Sequence, residues 1–277
     1  MAMTTKTMTI LDEIVLNKQK EVAERKQLYP VKLLEQSIYF GTKPVSMKRY
    51  LQRPDKTGII AEFKRKSPSK GMINAHASVE RTSIGYMQAG ASALSVLTDK
   101  VFFGGSNEDL QVARKFNFCP IIRKDFMIDE YQVVEAKSIG ADAILLIAAV
   151  LEPERSRALA DLAHSFGLEV LLEVHDEDEL KRNLAVGADM VGVNNRNLKT
   201  FEVSLEVSKR LAPLMPKGVV SVSESGISTP EAILELRQFG YEGFLMGENF
   251  MKHSRPELEA SIFMEALRKG TKQTVKA

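Results

Sequence analysis

The sequence predicts an α/β fold, a (β/α)8 TIM barrel with an N-terminal helical extension, and three observations support this prediction. Eight short apolar runs recur along the chain at the spacing of a repeated strand–helix unit. Amphipathic segments with a helical period fill the intervals between these runs. The rival fold, an open doubly wound sheet, usually carries a glycine-rich phosphate loop after its first strand, and neither GxGxxG nor GxxxxGKS/T occurs here.

The predicted strands are apolar throughout, which is typical of parallel strands that helices cover on both faces. Four of them follow a helix that ends on a glycine, which we expect in the left-handed conformation. These four segments span 88–99, 138–149, 185–195 and 238–248, and the other four strands fall within 58–64, 120–125, 168–174 and 219–225.

The clearest predicted helices span 131–139, 154–166, 177–186 and 230–239. Thr229 and Pro230 fit the N-cap and the first position of the last of these helices. We expect a single domain over 1–277, with the extension at 1–56 and the barrel at 57–277.

Within the extension, an apolar stripe that includes Ile10, Ile14 and Val22 predicts a helix from about Thr9 to about Leu28, and shorter helical pieces follow at 31–37 and 45–52. The extension either plugs one end of the barrel or covers the substrate as a lid.

Composition excludes several classes of protein. The 38 Lys and Arg residues nearly balance the 36 Asp and Glu residues, which argues against a nucleic-acid partner. The single cysteine, Cys119, allows no internal disulfide and suits a reducing compartment. The longest wholly apolar run, 143–151, is far shorter than the roughly 20 residues that span a bilayer, and the N-terminal segment lacks an apolar signal region. We therefore expect a cytoplasmic protein with no membrane partner.

Polar residues end most of the predicted strands, where TIM barrels carry their active sites. Glu62 and Lys64 share parity, so both can point into the barrel mouth while Phe63 faces the helices, although a solvated ion pair is the alternative. Glu173 follows three apolar residues and must lie at the mouth or be paired, because burying a lone carboxylate costs several kcal/mol. Lys124 could serve as a general acid, a Schiff-base nucleophile or an anion anchor.

The loops after the last two strands predict a phosphate site. They read SESGIS and MGENF, and the equivalent loops of this fold commonly bind phosphate. Gly226 and Gly247 allow close approach of the backbone, and the N–H groups near them can donate to phosphate oxygens. We expect Glu248 to contribute only its backbone, because its carboxylate would repel an anion.

The segment KRKSPSKG, at 64–71, predicts a mobile basic loop that closes over an anionic substrate. It lacks the interleaved aromatic residues of a nucleic-acid surface. The four histidines form no metal-binding pattern, so we expect no metal, and we expect His175 at the surface.

Seven segments resemble, in order, the strand-end motifs of the indole-3-glycerol phosphate synthase family. They are AEFKRKSPSKG (61–71), FFGGSNEDL (102–110), PIIRKDFMIDEYQ (120–132), LLEVHDEDEL (171–180), VGVNNRNLKTF (191–201), SESGI (223–227) and GFLMGENFM (243–251). The resemblance implies a tryptophan-biosynthesis enzyme without a cofactor. It would cyclise 1-(2-carboxyphenylamino)-1-deoxyribulose 5-phosphate to indole-3-glycerol phosphate, releasing CO2 and water.

The resemblance also implies residue roles. Lys124 would protonate the substrate carbonyl during ring closure, and Glu173 would transfer a proton in the later dehydration. Lys64 would contact the anionic groups of the substrate or act as an acid, with Glu62 as its acidic partner. The division of proton transfers between Lys64 and Lys124 stays open. Substrate-binding positions would be Ser67, Phe103, Phe126, Asn194 and Arg196, and the phosphate would contact Ser225, Gly226, Gly247 and Glu248.

Two other functions fit the residues taken alone. One is a Schiff-base aldolase that acts on a sugar phosphate through Lys124 or Lys64. The other is a non-catalytic binding barrel, against which the intact set of acidic and basic strand-end residues argues. Phe63 departs from the family pattern, where we expect a smaller branched aliphatic residue, and this affects packing rather than chemistry. We expect a monomer that takes a small anionic sugar phosphate.

Overall fold

The computed structural model describes residues 8–274, with side chains up to residue 271. Ten strands occur in this range: β1 (Ile59–Phe63), β2 (Lys66–Ser67), β3 (Gly71–Met72), β4 (Ala93–Leu97), β5 (Ile121–Lys124), β6 (Ala143–Ile147), β7 (Glu169–Val174), β8 (Met190–Asn194), β9 (Val220–Glu224) and β10 (Gly243–Met246). Eight of them close a parallel barrel in chain order, with β10 pairing back to β1. The predicted barrel is confirmed. The hairpin of β2 and β3, in the basic loop, was not predicted.

Twelve α-helices lie within the same range. They are α1 (Ile10–Leu28), α2 (Val31–Leu34), α3 (Met47–Leu51), α4 (Val79–Ala89), α5 (Asn107–Phe116), α6 (Glu130–Ser138), α7 (Pro153–Ser165), α8 (Glu177–Arg182), α9 (Glu206–Leu211), α10 (Pro230–Gln238), α11 (Glu248–Met251) and α12 (Pro256–Thr274). The helix predicted over 177–186 ends four residues early, because Asn183 leaves the helical path and its side chain donates to the Glu179 carbonyl. Within residues 8–274, no helix is both long enough and apolar enough to span a bilayer.

The predicted starts of α1 and α10 are confirmed, and so are the helix ends at Gly90, Gly140 and Gly240. The helix end predicted at Gly187 is wrong, because α8 already ends at Arg182, although Gly187 is left-handed. Thr9 and Asp12 cap α1 reciprocally, and the Thr229 hydroxyl accepts from the Ala232 N–H at the start of α10. The four glycines expected in the left-handed conformation have φ of 105°, 89°, 81° and 91°, at Gly90, Gly140, Gly187 and Gly240 respectively.

The extension covers both ends of the barrel. Met47 and Leu51 of α3 are buried in the barrel interior, and the α3 region bonds to residues that begin the strands. Lys48 Nζ, for example, donates to the Gly218 carbonyl, just before β9. The first turns of α1 instead border the cavity at the opposite end. The α3 region therefore plugs one end of the barrel, and α1 lies at the rim of the cavity at the other end, where a lid over the substrate stays a prediction.

A lysine sits on the apolar stripe of α1. Lys18 is fully buried, between Ile14 and Val22, and its Nζ lies 3.0 Å from Asp99 Oδ2 and 2.9 Å from Asp125 Oδ1. Burial by itself lowers the pKa of Lys18, but the nearby carboxylates outweigh burial and raise it. These ion pairs attach α1 to the loops that follow β4 and β5. Phe63 faces the helices as predicted, in the core layer outside the barrel.

Candidate active site

A cavity of about 630 Å³ opens at the carboxyl ends of the barrel strands. All thirteen residues that the sequence singled out border it, namely Glu62, Lys64, Ser67, Phe103, Lys124, Phe126, Glu173, Asn194, Arg196, Ser225, Gly226, Gly247 and Glu248. Parallel strands closed in a ring bring their last residues together, which is why positions so far apart in sequence meet here. Ile10, Leu11 and Ile14 of α1 add an apolar wall.

Lys124 lies between two carboxylates at the centre of this cavity. Its Nζ donates to Glu173 Oε2 at 2.8 Å and to Glu224 Oε2 at 3.0 Å. Asn194 Nδ2 donates to the other oxygen of Glu173, Oε1, at 3.0 Å. Side chains at the carboxyl ends of β5, β7, β8 and β9 thus form one hydrogen-bonded cluster, which can exchange protons with a bound molecule.

Glu224 is the functional candidate that sequence reasoning missed. A signal for it existed, because Val220 and Val222 face the barrel interior and Glu224 shares their parity. Its Oε1 is buried and has no hydrogen-bond partner among the described residues. A Cβ built on Gly192 of β8 would lie 2.2 Å from that oxygen. Only glycine at position 192 leaves room for the carboxylate.

The three central groups differ in protonation. Burial lowers the pKa of Lys124, but the carboxylates of Glu173 and Glu224 outweigh this and raise it, so the ammonium is charged at neutral pH. Burial raises the pKa of Glu224 to about 7, a shift that Lys124 opposes and the Glu173 charge reinforces. Burial acts on Glu173 in the same direction, yet Lys124 and His175 hold its pKa below the usual range. Near neutrality Glu173 is ionised and Glu224 is titrating.

The prediction that His175 lies at the surface is wrong. Its side chain is 11% exposed and lies between two carboxylates. Nε2 is 3.3 Å from Glu173 Oε1, and Nδ1 is 3.2 Å from Glu179 Oε2. Although burial lowers the pKa of His175, the two glutamates outweigh it and raise the pKa to about 10. The physical reason is that the first turns of α8 bring Glu179 back over the end of β7.

Glu62 and Lys64 form a pair at the cavity wall. Lys64 Nζ lies 2.8 Å from Glu62 Oε1, and Ser95 Oγ donates to Glu62 Oε2 at 3.2 Å. Glu62 is buried, so the alternative of a solvated pair is wrong. A Cβ built on Gly247 would lie 2.7 Å from Glu62 Oε1. Gly247, predicted only as a point of close backbone approach, therefore also leaves space for this carboxylate.

The two predicted phosphate loops lie side by side at the cavity rim. Ser225 and Gly226 have φ of 69° and 80°, and a left-handed serine is uncommon. Gly247 precedes α11, the short helix that begins at Glu248. The Glu248 side chain makes contacts that the sequence did not predict, because its Oε2 lies 3.3 Å from an Arg196 nitrogen and its Oε1 lies 3.9 Å from Lys70 Nζ.

The basic loop and two aromatic rings also border the cavity, and the basic loop follows β1, the barrel neighbour of β10. The Phe103 and Phe126 centroids are 5.9 Å apart, with planes at 39°. Lys64 and Lys70 border the cavity, whereas Arg65 pairs with Asp109 at 2.5 Å and Lys66 Nζ donates to the Val101 carbonyl at 2.8 Å. Only part of the loop's positive charge therefore borders the cavity, and its mobility stays a prediction. In the described part of the chain, no three His, Cys, Asp or Glu side chains group as metal ligands.

Comparison with known proteins gives consistent matches. The family model described as "Indole-3-glycerol phosphate synthase" matches residues 11–262. The protein of that name from Bacteroides thetaiotaomicron is 51% identical over 258 residues, which cover 93% of this chain and 98% of the relative. Its counterpart from Caldanaerobacter subterraneus subsp. tengcongensis is 42% identical over 263 residues, which cover 94% and 100%.

Solved structures share the fold at low sequence identity. The N-acetylmannosamine-6-phosphate 2-epimerase from Clostridium perfringens has a TM-score of 0.59 and 17% identity, with 80% of this chain and 96% of that chain covered. Thiamine phosphate pyrophosphorylase from Pyrococcus furiosus has a TM-score of 0.58 and 15% identity, with 82% and 98% covered. These likenesses concern the barrel alone.

Proposed function

This chain belongs to the indole-3-glycerol phosphate synthase family, and from that premise we propose which residues carry its reaction. The enzyme is a decarboxylating lyase of tryptophan biosynthesis that acts on a sugar-phosphate substrate. It closes the indole ring of 1-(2-carboxyphenylamino)-1-deoxyribulose 5-phosphate, with loss of CO2 and water. We assign the proton transfers to Lys124, Glu173, Lys64 and Glu62, and we add Glu224 to this set.

One observation carries the assignment of Lys124, namely that its ammonium lies between the carboxylates of Glu173 and Glu224. Both carboxylates favour the charged lysine, which can donate a proton to the carbonyl oxygen of the substrate as the ring closes. The same ion pairs weigh against a Schiff-base aldolase, because a protonated amine does not attack a carbonyl carbon.

Dehydration needs a base for a carbon-bound proton and an acid for the departing hydroxyl. Glu173 suits the base because its neighbours keep it ionised. Glu224 suits the acid, since its pKa of about 7, raised chiefly by burial, leaves part of the population protonated at neutral pH. The buried Oε1 of Glu224 can carry this proton, because it accepts no hydrogen bond from the described residues.

The remaining residues hold the substrate. We assign its phosphate to the backbone N–H groups around Ser225, Gly226, Gly247 and Glu248, where two loop ends meet. The carboxylate of the substrate suits the cations Lys64 and Arg196, and Ser67 can add a hydroxyl. The pair of Phe103 and Phe126 suits the flat anthranilate ring. Asn194 keeps Glu173 in place through its amide.

We also propose that the enzyme is a cytoplasmic monomer, folded as a single domain and without a nucleic-acid partner. The free, buried thiol of Cys119 and the near-balance of charge support this. Gel filtration at micromolar concentration tests the oligomeric state, because a dimer would elute at an apparent mass twice that of the monomer.

The decisive experiment adds the purified protein to the carboxyphenylamino-deoxyribulose phosphate and follows indole absorbance. We expect product from the unsubstituted protein and from Lys181→Ala, in which an exposed lysine paired with Glu177 is lost. We expect Lys124→Ala to form product more slowly by a factor of about 10²–10⁴. Borohydride added during turnover should trap no lysine adduct. Absence of indole product from the unsubstituted protein would overturn the proposal, and a trapped adduct would favour the aldolase chemistry.

A further inference from the structure

The two carboxylates that flank Lys124 are nearly equivalent in their contacts with it. The distances from Lys124 Nζ are 2.8 Å to Glu173 and 3.0 Å to Glu224. The positive charge of Lys124 balances the negative charge of one carboxylate. In a buried cluster the other carboxylate therefore tends to be protonated. The lysine alone does not determine which glutamate takes that proton.

Other contacts make the two glutamates different. Asn194 donates to Glu173 Oε1, and His175 Nε2 lies 3.3 Å from the same oxygen. Among the described residues, the matching oxygen of Glu224, Oε1, accepts no hydrogen bond. The surroundings therefore favour negative charge on Glu173. Among the described residues, His175 is the group besides Lys124 whose positive charge lowers the pKa of Glu173 against the effect of burial.

The surroundings of His175 favour a protonated ring. Each ring nitrogen faces a carboxylate oxygen, Nε2 towards Glu173 and Nδ1 towards Glu179. A neutral imidazole would direct a lone pair at one of these oxygens, whereas an imidazolium attracts both. The Nδ1 contact is a hydrogen bond, and the Nε2 contact is an ion-pair contact without hydrogen-bond geometry. The charged groups that bear on the ring are Glu173 of β7 and Glu179 of α8, and beyond Glu173 lie Lys124 of β5 and Glu224 of β9.

Glu179 holds the imidazole from the side opposite Glu173. Its Oε2 accepts from the backbone N–H of His175 at 2.7 Å as well as facing Nδ1. The Glu179 N–H in turn donates to Asp176 Oδ1 at 2.8 Å, the N-cap contact of α8. The imidazole of His175 is thus held by Glu179, which is itself held by the N-cap residue Asp176 of α8.

We propose that His175 is a positioning residue: as an imidazolium it keeps Glu173 ionised, so that the proton shared by the two glutamates resides on Glu224. The inference rests on the proposed function, in which Glu173 is the base and Glu224 the acid. It goes further by naming the residue that assigns these roles. His175 itself need not touch the substrate.

The first test uses the free enzyme and needs no turnover. Glutamate carboxyls labelled with 13C are titrated by NMR, and Glu173→Gln and Glu224→Gln identify the two signals. In the unsubstituted enzyme we expect Glu224 to titrate near pH 7 and Glu173 to stay ionised well below pH 4. In His175→Gln the Glu173 midpoint should rise by about one pH unit or more, and that of Glu224 should fall.

Two further variants make this test specific. Glu179→Gln leaves the imidazole in place but removes one negative charge that stabilises its protonated form. The titration midpoint of Glu173 should therefore rise by a smaller amount than in His175→Gln. His164→Gln is the matched control, because His164 forms a comparable pair with Asp189 at 3.0 Å but is more exposed. Two titration curves in His175→Gln that superimpose on those of the unsubstituted enzyme would overturn the proposal.

The second test is the pH profile of kcat. His175→Gln should narrow the range of pH in which kcat exceeds half its maximum, because the pKa of the base rises and that of the acid falls. A purely structural role would lower kcat by one factor at every pH and leave the width unchanged. If the unsubstituted enzyme forms no indole product, the proposed function fails, and the NMR titration still decides the role of His175.

Discussion

Lys18, on the amino-terminal helix, and Asp125, which follows Lys124 in the chain, form an ion pair of 2.9 Å with both side chains fully buried. Asp99 completes the contact at 3.0 Å. The pair connects the helix that borders the cavity with the residue that directly follows the active-site lysine at the end of β5. The stability of the extension and the geometry of the site therefore depend on the same atoms.

We expect Lys18→Met to destabilise the protein by about 3–5 kcal/mol, because the buried carboxylates of Asp99 and Asp125 lose the ammonium that they share. Urea unfolding measures the change. The control is Lys26→Met on the same helix, whose pair with Asp129 at 2.8 Å is more exposed and should contribute less than about 1 kcal/mol. Equal unfolding midpoints for the two variants would contradict the central role of the buried pair.

Lys124→Ala should lower kcat by a factor of about 10²–10⁴, the usual contribution of a positioned acid or base. Binding should persist, because the phosphate loops and the aromatic wall are untouched. Steady-state kinetics measures the first effect, and calorimetric titration with a non-reactive substrate analogue measures the second. Turnover within threefold of the unsubstituted enzyme would remove Lys124 from the mechanism.

Glu173→Gln should reduce kcat more than it weakens binding, since the amide keeps the shape of the side chain but cannot accept the proton. Steady-state kinetics measures the change in kcat, and calorimetric titration with the non-reactive substrate analogue measures the change in binding. An unchanged kcat, or a loss confined to affinity, would assign Glu173 to binding instead.

Gly192→Ala should reduce kcat by about tenfold or more, because the added methyl group would lie 2.2 Å from Glu224 Oε1 and push that carboxylate away from Lys124. The control is Gly41→Ala, since a Cβ at position 41 would meet nothing within 4 Å. Equal kcat values for the two variants would show that the position of Glu224 is not critical.

The pH dependence of stability offers a test of His175 that is separate from catalysis. A histidine whose pKa rises from 6.5 to about 10 on folding, where its two glutamates outweigh burial, stabilises the protein fully below pH 6.5. That contribution declines as pH increases and is lost through about pH 10. The unfolding free energy should therefore fall over this range by a larger amount in the unsubstituted protein than in His175→Gln. Parallel curves from urea unfolding would contradict this.

Much of the site was predictable, because the sequence pattern shows which side chains alternate along each strand and that eight strand–helix units can close a barrel. Glu62 and Lys64 point into the mouth for the same reason that Phe63 points away. Glu224 follows the same rule and could have been found by it. His175 was not predictable, because its environment depends on how far α8 turns back over β7. Lys18 was missed because a lysine on an apolar stripe finds its partners only when β4 and β5 lie beside each other.

The extension that covers both ends of the barrel has a consequence for synthesis of the chain. Leu51 packs next to Gly243 in β10, the last barrel strand to leave the ribosome, although Leu51 itself leaves early. Met47 packs in the barrel interior against residues of strands from β1 to β10, which are synthesised at widely separated times. The α3 helix can therefore complete its packing only after β10 has been synthesised. Docking of α3 thus depends on closure of the barrel.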